Sequence, residues 1–288
     1  MAHAESIEDI ILDQDRRGIS ALRDHLPPDF CDQAASLILE HPGTALITTG
    51  FYILAGEGAE TDGPPGAVAV GNALRSLGYD IVYVTDKYTL PFMESLGGPD
   101  DRVVDFPITD DDASKRFAQG LLDELDPSVL IAIERCGLTR ESLYRNMHGQ
   151  DITAYNARID HLFTDHPYSV GIGDGGNEIG MGNLASEIPK VPTLVKLPCV
   201  TSTTRLIVTS VSNWGGYGLV AAMSRRGGKS LLPSIESEQD RIKSMVDMGA
   251  VDGFTNKQEY KVDGFTLEEN SAILTRLHDL LAGEGVAS

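Results

Sequence analysis

The sequence lacks the features of membrane, secreted and nucleic-acid-binding proteins. It has no run of about 18 apolar residues, so a membrane-spanning helix is not expected. Its first 17 residues are acidic, whereas a signal or transit peptide would be basic with an apolar or amphipathic run. Only 23 basic residues stand against 43 acidic ones, and a net charge of −20 repels phosphate backbones and anionic membranes. We therefore expect a cytoplasmic protein that binds neither nucleic acid nor membrane.

Cysteine and histidine are too sparse to form a recognisable disulfide framework or zinc site. The three cysteines, Cys31, Cys136 and Cys199, are odd in number and far apart, so we expect small buried core residues. The seven histidines include no pair spaced i, i+4. The motifs G-x-x-x-x-G-K-[ST], H-E-x-x-H and G-x-S-x-G are all absent. Phosphate-binding loops, zinc proteases and serine triads therefore find no support.

Short β-branched runs alternate with longer amphipathic segments along most of the chain, and 41% hydrophobic residues can fill a core. This alternation predicts an α/β fold with a doubly wound, mostly parallel sheet and helices on both faces, a Rossmann-like three-layer arrangement. No linker divides the chain, so residues 1–288 are expected to form one domain. Residues 1–40 are interpreted as an N-terminal helical cover without site residues. The predicted strands cover residues 44–51, 80–85, 102–108, 129–133, 169–172 and 205–211.

The segment 169–182, SVGIGDGGNEIGMG, is a strand that ends in a glycine-rich loop containing two carboxylates. Glycines cluster where the backbone turns sharply or approaches another group closely, so the loop is either a tight turn or a binding loop. Residues 171–176 match G-x-G-x-x-G, but Asp174 would repel a pyrophosphate. No acid follows a second strand about 20 residues later, as a dinucleotide site requires. Neither NAD nor FAD is expected.

Polar residues follow nearly every predicted strand. The carboxyl ends of parallel strands form the usual ligand-binding edge of an α/β sheet, so these residues are expected to converge. Crowded carboxylates need a counter-charge, which a divalent cation such as Mg²⁺ or Mn²⁺ or the amine of a substrate could supply. Both alternatives stay open. The residues concerned are Glu60, Thr61, Asp62, Gly63, Asp86, Glu134, Asp174, Asn177, Glu178 and Asn213.

Seven segments, in order over most of the chain, form a distinctive set. They are TTGFYI (48–53), ETDGPPGA (60–67), VYVTD (82–86), IAIER (131–135), YNAR (155–158), GIGDGGNEIGMG (171–182) and SNWGGYG (212–218). VDGF (251–254) and VDG (262–264) are weaker echoes. With these segments the chain resembles the D-glutamate cyclase C-terminal domain family, long catalogued as a domain of unknown function. Animal members carry the domain within a longer mitochondrial protein, and this sequence is expected to be a stand-alone member.

The resemblance implies a carbon–oxygen lyase that closes D-glutamate onto itself to give 5-oxo-D-proline and water. An alkylamine is protonated at neutral pH, with a pKa of about 10, so a carboxylate must hold it and take its proton. The γ-carboxylate is a poor electrophile, so a metal or several N–H donors must offset its charge. Asp174 and Glu178 are expected to be metal ligand and general base in either order, with Asp62 and Glu134 as partners of the amine or the metal.

The expected metal ligands are Asp174, Glu178 and Asp62. The N–H groups of Gly175 and Gly176 and the side chain of Asn213 are expected to act as oxyanion donors, and Thr49 and Trp214 to line the pocket. Trp214 at a strand end could equally be a core residue. The full set of expected substrate-binding residues is Thr49, Gly50, Glu60, Thr61, Gly63, Gly175, Gly176, Asn177, Asn213, Trp214 and Gly215.

Two other functional classes stay open, because a motif marks a site and not a rate. The protein could bind a nucleotide or amino acid without catalysis, or it could be a metal-dependent hydrolase of a related small molecule. The expected partner is a small amino-acid substrate, and homo-oligomerisation stays open.

Overall fold

A six-stranded parallel sheet forms the centre of the molecule. The computed structural model describes residues 5–98 and 101–287. Its strands are β1 (Thr44–Gly50), β2 (Tyr52–Ile53), β3 (Gly58–Ala59), β4 (Asp80–Thr85), β5 (Arg102–Asp105), β6 (Val129–Arg135), β7 (Ser169–Gly173), β8 (Arg205–Val208), β9 (Lys261–Val262) and β10 (Phe265–Thr266). The sheet order is β5–β4–β1–β6–β7–β8, while β2 pairs with β3 and β9 with β10 in short antiparallel ribbons.

Helices cover both faces of the sheet, which confirms the predicted three-layer α/β fold. They are α1 (Ile7–Ile11), α2 (Phe30–Leu39), α3 (Pro64–Ser76), α4 (Leu90–Leu96), α5 (Asp111–Leu125), α6 (Asp160–Phe163), α7 (Ser212–Gly227), α8 (Ile235–Asp247) and α9 (Leu267–Gly283). The larger core lies on the face covered by α2, α3 and α7, against which α1, α8 and α9 pack. Helices α5 and α6 cover the other face.

The central strands read as apolar runs because both of their faces are buried. All seven residues of β6 are buried, and six of the seven in β1. Helix α7 is buried nearly all round, and its glycines let neighbouring elements approach closely. A Cβ added at Gly216 would lie 3.1 Å from the Cα of Gly66 in α3. This contact brings the N-terminal ends of α3 and α7 together at the edge of the sheet.

The amphipathic sequence of residues 152–163 predicts a helix, and this prediction is wrong for most of the segment. The structure has a 3₁₀ turn at Thr153–Tyr155 and only the short α6. Backbone groups between them bond outside the segment: the N–H of Ala157 donates to Asp86 and its carbonyl accepts from Arg135. Tertiary partners therefore replace the helical hydrogen bonds. Residues 182–188, GNLASEI, also predict a helix from their sequence, but the structure has only a 3₁₀ turn there, Gly182–Leu184.

The first helix of the N-terminal segment, α1, is short. It ends at Ile11 after burying three isoleucines, and a 3₁₀ helix, Ile19–His25, leads toward α2. The loop between them, residues 12–18, runs toward the carboxyl edge of the sheet. In the described part of the chain, no helix combines the length and apolar composition needed to cross a bilayer.

Candidate active site

A small pocket opens beyond the carboxyl ends of β1 and β6, where the strand order reverses and α/β proteins usually bind ligands. Its volume of about 110 Å³ compares with roughly 30 Å³ for one water molecule in the liquid, so it can admit a small organic molecule. Four carboxylates line it, together with several apolar side chains. The carboxylates are Glu60, Glu134, Asp174 and Glu178, and the apolar residues include Phe51, Ile53, Leu54 and Met147.

Glu134 is aimed by an irregularity in β6. The pairing with β1 passes from Thr49 opposite Ile133 directly to Gly50 opposite Arg135, so Glu134 is an extra, unpaired residue. Its φ of 44° lies in the left-handed region that residues other than glycine seldom occupy. Bulges of this kind redirect a side chain next to active sites. The bulge thus turns a strand residue toward the pocket.

Two neighbouring groups hold Glu134 in this position. Its Oε2 accepts a hydrogen bond of 2.6 Å from the hydroxyl of Ser212, the first residue of α7. Gly63 packs directly against it, because a Cβ there would lie 2.8 Å from the Cβ of Glu134 and 2.6 Å from Thr49 Oγ1. Gly63 also has a φ of 99°, so only glycine satisfies both conditions.

Asp62 joins the loop after β3 to the start of α7. Its carboxylate accepts N–H groups from Ser212 and Asn213 at 2.8 Å each and from Gly63 at 3.0 Å. The first N–H groups of a helix have no intrahelical partner, so a carboxylate is favoured there. The side chain of Asn213 links α7 to the same loop. Its Oδ1 accepts the N–H groups of Gly63 and Gly66, and its Nδ2 donates to the carbonyl of Thr61. Asn213 therefore braces the loop, and the oxyanion role predicted for it is not supported.

Glu178 organises the glycine-rich loop from within. Its Oε1 accepts the N–H of Gly175 at 2.7 Å, and its Oε2 accepts the N–H of Gly176 at 2.8 Å. These two N–H groups were the predicted oxyanion donors, but the carboxylate of Glu178 already occupies them. Both carboxylate oxygens of Glu178 are likewise engaged, and Glu178 is not among the three acids whose oxygens lie within 4.8 Å of one another. It lines the pocket mainly by shaping the loop that presents Asp174.

A half-buried arginine from the N-terminal segment neutralises part of the acidic group. The Nη1 of Arg17 lies 2.7 Å from Asp174, and the guanidinium grips Asp263 through two bonds of 2.6 and 2.9 Å. Burial would raise the pKa of Asp263, but the charge of Arg17 outweighs it and lowers that pKa. Asp263 is thus held as the ionised partner. The expectation that residues 1–40 contribute nothing to the site is wrong.

The other acids of this cluster have raised pKa values. Burial, reinforced by neighbouring carboxylates, raises the pKa of Glu60, Glu134 and Asp174 well above their ordinary values. Burial also raises the pKa of Asp62 to about 7, against the opposing pull of its backbone donors. Among the described residues, Glu60 Oε1 is buried without a hydrogen-bond partner. Protonated carboxyl groups are therefore favoured at this site more than they are in water.

Three of these carboxylates lie close enough to share a cation. Asp62, Glu134 and Asp174 each place one oxygen within 4.8 Å of the others, and all three residues are buried. The grouping differs from the predicted set, because Glu134 takes the place of Glu178. Oxygen ligands of this type suit Mg²⁺ or Mn²⁺. Whether the protein binds a divalent cation stays a prediction.

A second buried ion pair lies at the same edge of the sheet but outside the pocket. Arg135 Nη2 lies 2.6 Å from Asp86, and both side chains are almost completely buried. The guanidinium also donates to the carbonyls of Gly50 and Ala157. One acid meets one base here, and neither lines the pocket. Asp86, one of the strand-end acids, is therefore a structural residue.

The sequence of this chain matches the model of a known family, described as D-glutamate cyclase-like, C-terminal, over residues 7–278. The chain belongs to the D-glutamate cyclase-like C-terminal family. A curated relative, the mitochondrial D-glutamate cyclase of Homo sapiens, is 33% identical over 210 residues. That alignment covers 66% of this chain and 34% of the relative, so the chain matches about a third of the relative's length.

The family's polar segments meet at this pocket, but several predicted site residues face elsewhere. Of the predicted set, Glu60, Glu134, Asp174, Asn177 and Glu178 line the pocket. Thr61 donates its hydroxyl to the carbonyl of Lys261. Gly215 packs against Ile172 below α7. Five further predicted residues do not line the pocket, namely Thr49, Gly50, Gly63, Gly175 and Gly176.

Trp214 is a core residue, so the prediction that it lines the pocket is not supported. It is fully buried, packs against the ring of Phe265 at 4.9 Å between centroids, and donates its indole N–H to Asn270 at 2.8 Å. A helix directs successive side chains about 100° apart, so Asn213 and Trp214 cannot face the same side of α7. The core alternative considered from the sequence is the correct one.

The sequence interpretation missed Arg17 and Asp263. Arg17 lies in a polar loop that resembles solvent-exposed sequence, and Asp263 belongs to an Asp-Gly turn of the weaker family echo, VDG. Their separation by 246 residues leaves no local signal of their contact. One signal was available: the chain has only 23 basic residues against 43 acidic ones. A cluster of buried acids in such a chain needs a basic residue from another segment to offset its charge.

Proposed function

We propose that this protein cyclises D-glutamate to 5-oxo-D-proline and water. Membership of the D-glutamate cyclase-like family and the likeness to the human enzyme support the substrate. The observation that carries the proposal is the small pocket lined by buried carboxyl groups with raised pKa, among them Glu134, which the bulge in β6 directs into it. Such a pocket suits an ammonium group that must lose protons and a carboxyl group that must gain them.

The reaction transfers two protons from nitrogen to oxygen. The amine nitrogen forms a bond to the γ-carbon, and one C–O bond of the γ-carboxyl group breaks. The ammonium group loses two protons, and the departing oxygen gains two and leaves as water. The protein must therefore accept protons at one position and return them at another, with no net change in its own charge.

Glu134 is the proposed base and Asp174 the proposed acid. The hydroxyl of Ser212, at the start of α7, donates to Glu134 and favours its ionised form once an ammonium group arrives. Asp174 lies beside the ionised Asp263 with a raised pKa, so it can hold the proton that the leaving oxygen needs. Asp62 and Glu178 act as positioning residues, since backbone N–H groups occupy their oxygens.

A divalent cation is the second way to balance the acidic pocket, and the proximity of Asp62, Glu134 and Asp174 favours it. A bound Mg²⁺ or Mn²⁺ would polarise the γ-carboxyl oxygen of the substrate. It would also lower the pKa of the acids that hold it, so it replaces the proton-transfer roles proposed above. The two mechanisms predict different effects of chelation: the acid–base mechanism keeps its activity in EDTA, and the cation mechanism loses it.

The decisive test is incubation with D-glutamate and L-glutamate, with EDTA or with Mn²⁺, followed by chromatography for 5-oxoproline. We expect product from D-glutamate that depends on Glu134. The matched control is Asp105→Asn, an exposed acid at the end of β5 away from the pocket. Full activity in EDTA supports acid–base catalysis, and loss of activity restored by Mn²⁺ supports the cation. Tight amino-acid binding by calorimetry without product would instead indicate a non-catalytic binding protein.

A further inference from the structure

Arg17 is held in place by its own loop before it reaches the pocket. The carboxylate of Asp15 accepts N–H groups from Arg17, Gly18 and Ser20 at 2.7 to 3.0 Å, and Gly18 turns the chain with a φ of 82°. The carbonyl of Arg17 accepts the hydroxyl of Thr193 at 2.5 Å. These bonds fix the backbone on both sides of Arg17. The contacts of the guanidinium with Asp174 and Asp263 hold the side chain as well, so Arg17 loses little conformational entropy when it binds a ligand.

The guanidinium still has donors to offer. It carries five N–H groups, and its contacts with Asp174 and Asp263 use three of them. Arg17 lines the pocket and its side chain is 19% exposed, so a ligand in the pocket can reach the guanidinium. Among the described residues that line the pocket, Arg17 is the one arginine, and none is a lysine. An anionic group entering the pocket has one strong partner.

Arg17 offers a positive charge and the proposed base Glu134 a carboxylate in the same pocket, and Asp174 lies 2.7 Å from Arg17 with an oxygen within 4.8 Å of one of Glu134. An α-amino acid presents the complementary pair, because its ammonium and carboxylate groups are attached to the same carbon. We propose that Arg17 binds the α-carboxylate of the substrate while the α-ammonium group meets Glu134. Arg17 then makes the pocket selective for α-amino acids. This inference rests on the proposed function for the identity of the substrate.

The chemistry of ring closure favours the α-carboxylate over the γ-carboxylate as the partner of Arg17. The γ-carboxyl group changes from an anion to a neutral lactam carbonyl, so a permanent ion pair there would resist the reaction. The α-carboxylate lies outside the ring and keeps its charge throughout. An arginine paired with it binds substrate and transition state alike, so its loss should raise KM more than it lowers kcat.

The test compares D-glutamate with 4-aminobutyrate, which lacks only the α-carboxylate and would cyclise to 2-pyrrolidinone. The wild-type protein should prefer D-glutamate by about 10²-fold or more in kcat/KM, since a site built around a polar group rejects an analogue that lacks it. In Arg17→Gln the preference should approach unity. Arg17→Lys should keep part of it, because an ammonium group retains the charge and loses the two-pronged geometry.

Arg16→Gln is the matched control, because Arg16 lies next in sequence, donates to the backbone carbonyl of Asp263 and does not line the pocket. It should leave the preference unchanged. Calorimetric affinities for both compounds, measured on folded wild type and variants, make the test independent of turnover. If no cyclisation occurs, a preference in binding that disappears in Arg17→Gln still supports this inference. An equal loss for both compounds in Arg17→Gln, or no preference in the wild type, overturns it.

Discussion

Two buried arginine–carboxylate groups lie at the same edge of the sheet, and they differ in their charge balance. Asp86 is the acid that pairs with Arg135, whose Nη1 and Nη2 also donate to two backbone carbonyls. Arg17 meets Asp174 and Asp263 together, with further buried acids close by. The first group is balanced and lies away from the pocket. The second has too much negative charge and lines it.

This difference indicates which group stabilises the fold and which serves a ligand. A buried pair in which each partner satisfies the other is costly to break, because removal of one partner leaves an uncompensated charge. A cluster in which acids outnumber bases instead has negative charge that is not offset. Its shifted pKa values favour binding of a cation or exchange of protons. The structural group should therefore respond to mutation in stability, and the pocket group in activity.

The largest expected effect concerns activity. Glu134→Gln keeps the shape of the side chain but removes the proposed base, so kcat for 5-oxoproline formation should fall by about 10²- to 10⁴-fold. Thermal unfolding should change little, because the substitution removes a buried group whose ionisation burial disfavours. Chromatographic turnover and a melting curve on the same preparation check both statements. Unchanged turnover would remove Glu134 from the mechanism.

The next effect concerns stability. Arg135→Gln leaves the carboxylate of Asp86 buried without its counter-charge, so the free energy of unfolding should fall by about 3–5 kcal/mol. Urea denaturation measures this loss. The double variant Asp86→Asn with Arg135→Gln should recover part of it, because both charges are then gone. A single variant as stable as the wild type would contradict the structural role of the pair.

A smaller effect is a pH dependence that originates at Asp62. Its folded-state pKa of about 7 exceeds the ordinary value of 3.8, so the native state binds more protons between these values. The stabilising contribution is thus fully present below about pH 4 and is lost as pH rises through about 7, with a slope of at most about 1.4 kcal/mol per pH unit. Denaturation at several pH values should show a shallower decline in Asp62→Asn than in the wild type. Parallel curves would show that Asp62 is not the source.

The smallest effect tests the placement of Trp214. Trp214→Phe removes the indole donor and leaves Asn270 Oδ1 without it, so stability should fall by about 1–2 kcal/mol while the KM for D-glutamate stays unchanged. The combination of a lower melting temperature and a normal KM is the expected result. A raised KM would return Trp214 to the pocket.

The sequence predicted the sheet well because strand and helix periodicities are local properties. All six central strands lie where β-branched runs predicted them, and most errors are at their ends. The helix predicted over residues 152–163 does not form because the N–H of Ala157 donates to Asp86 and its carbonyl accepts from Arg135, and both partners lie outside the segment. Amphipathic periodicity carries no information about such partners.

By itself, the sequence determined the fold class, the glycine-rich loops and the set of acids from which the pocket is built. The tertiary structure decided their roles. A bulge in β6 turned Glu134 toward the pocket, and backbone N–H groups engaged Asp62 and Glu178. A loop of the N-terminal segment supplied Arg17. Hydrophobic patterning and turn chemistry act between near neighbours, whereas the partner of a buried charge is chosen by the packing of the whole chain.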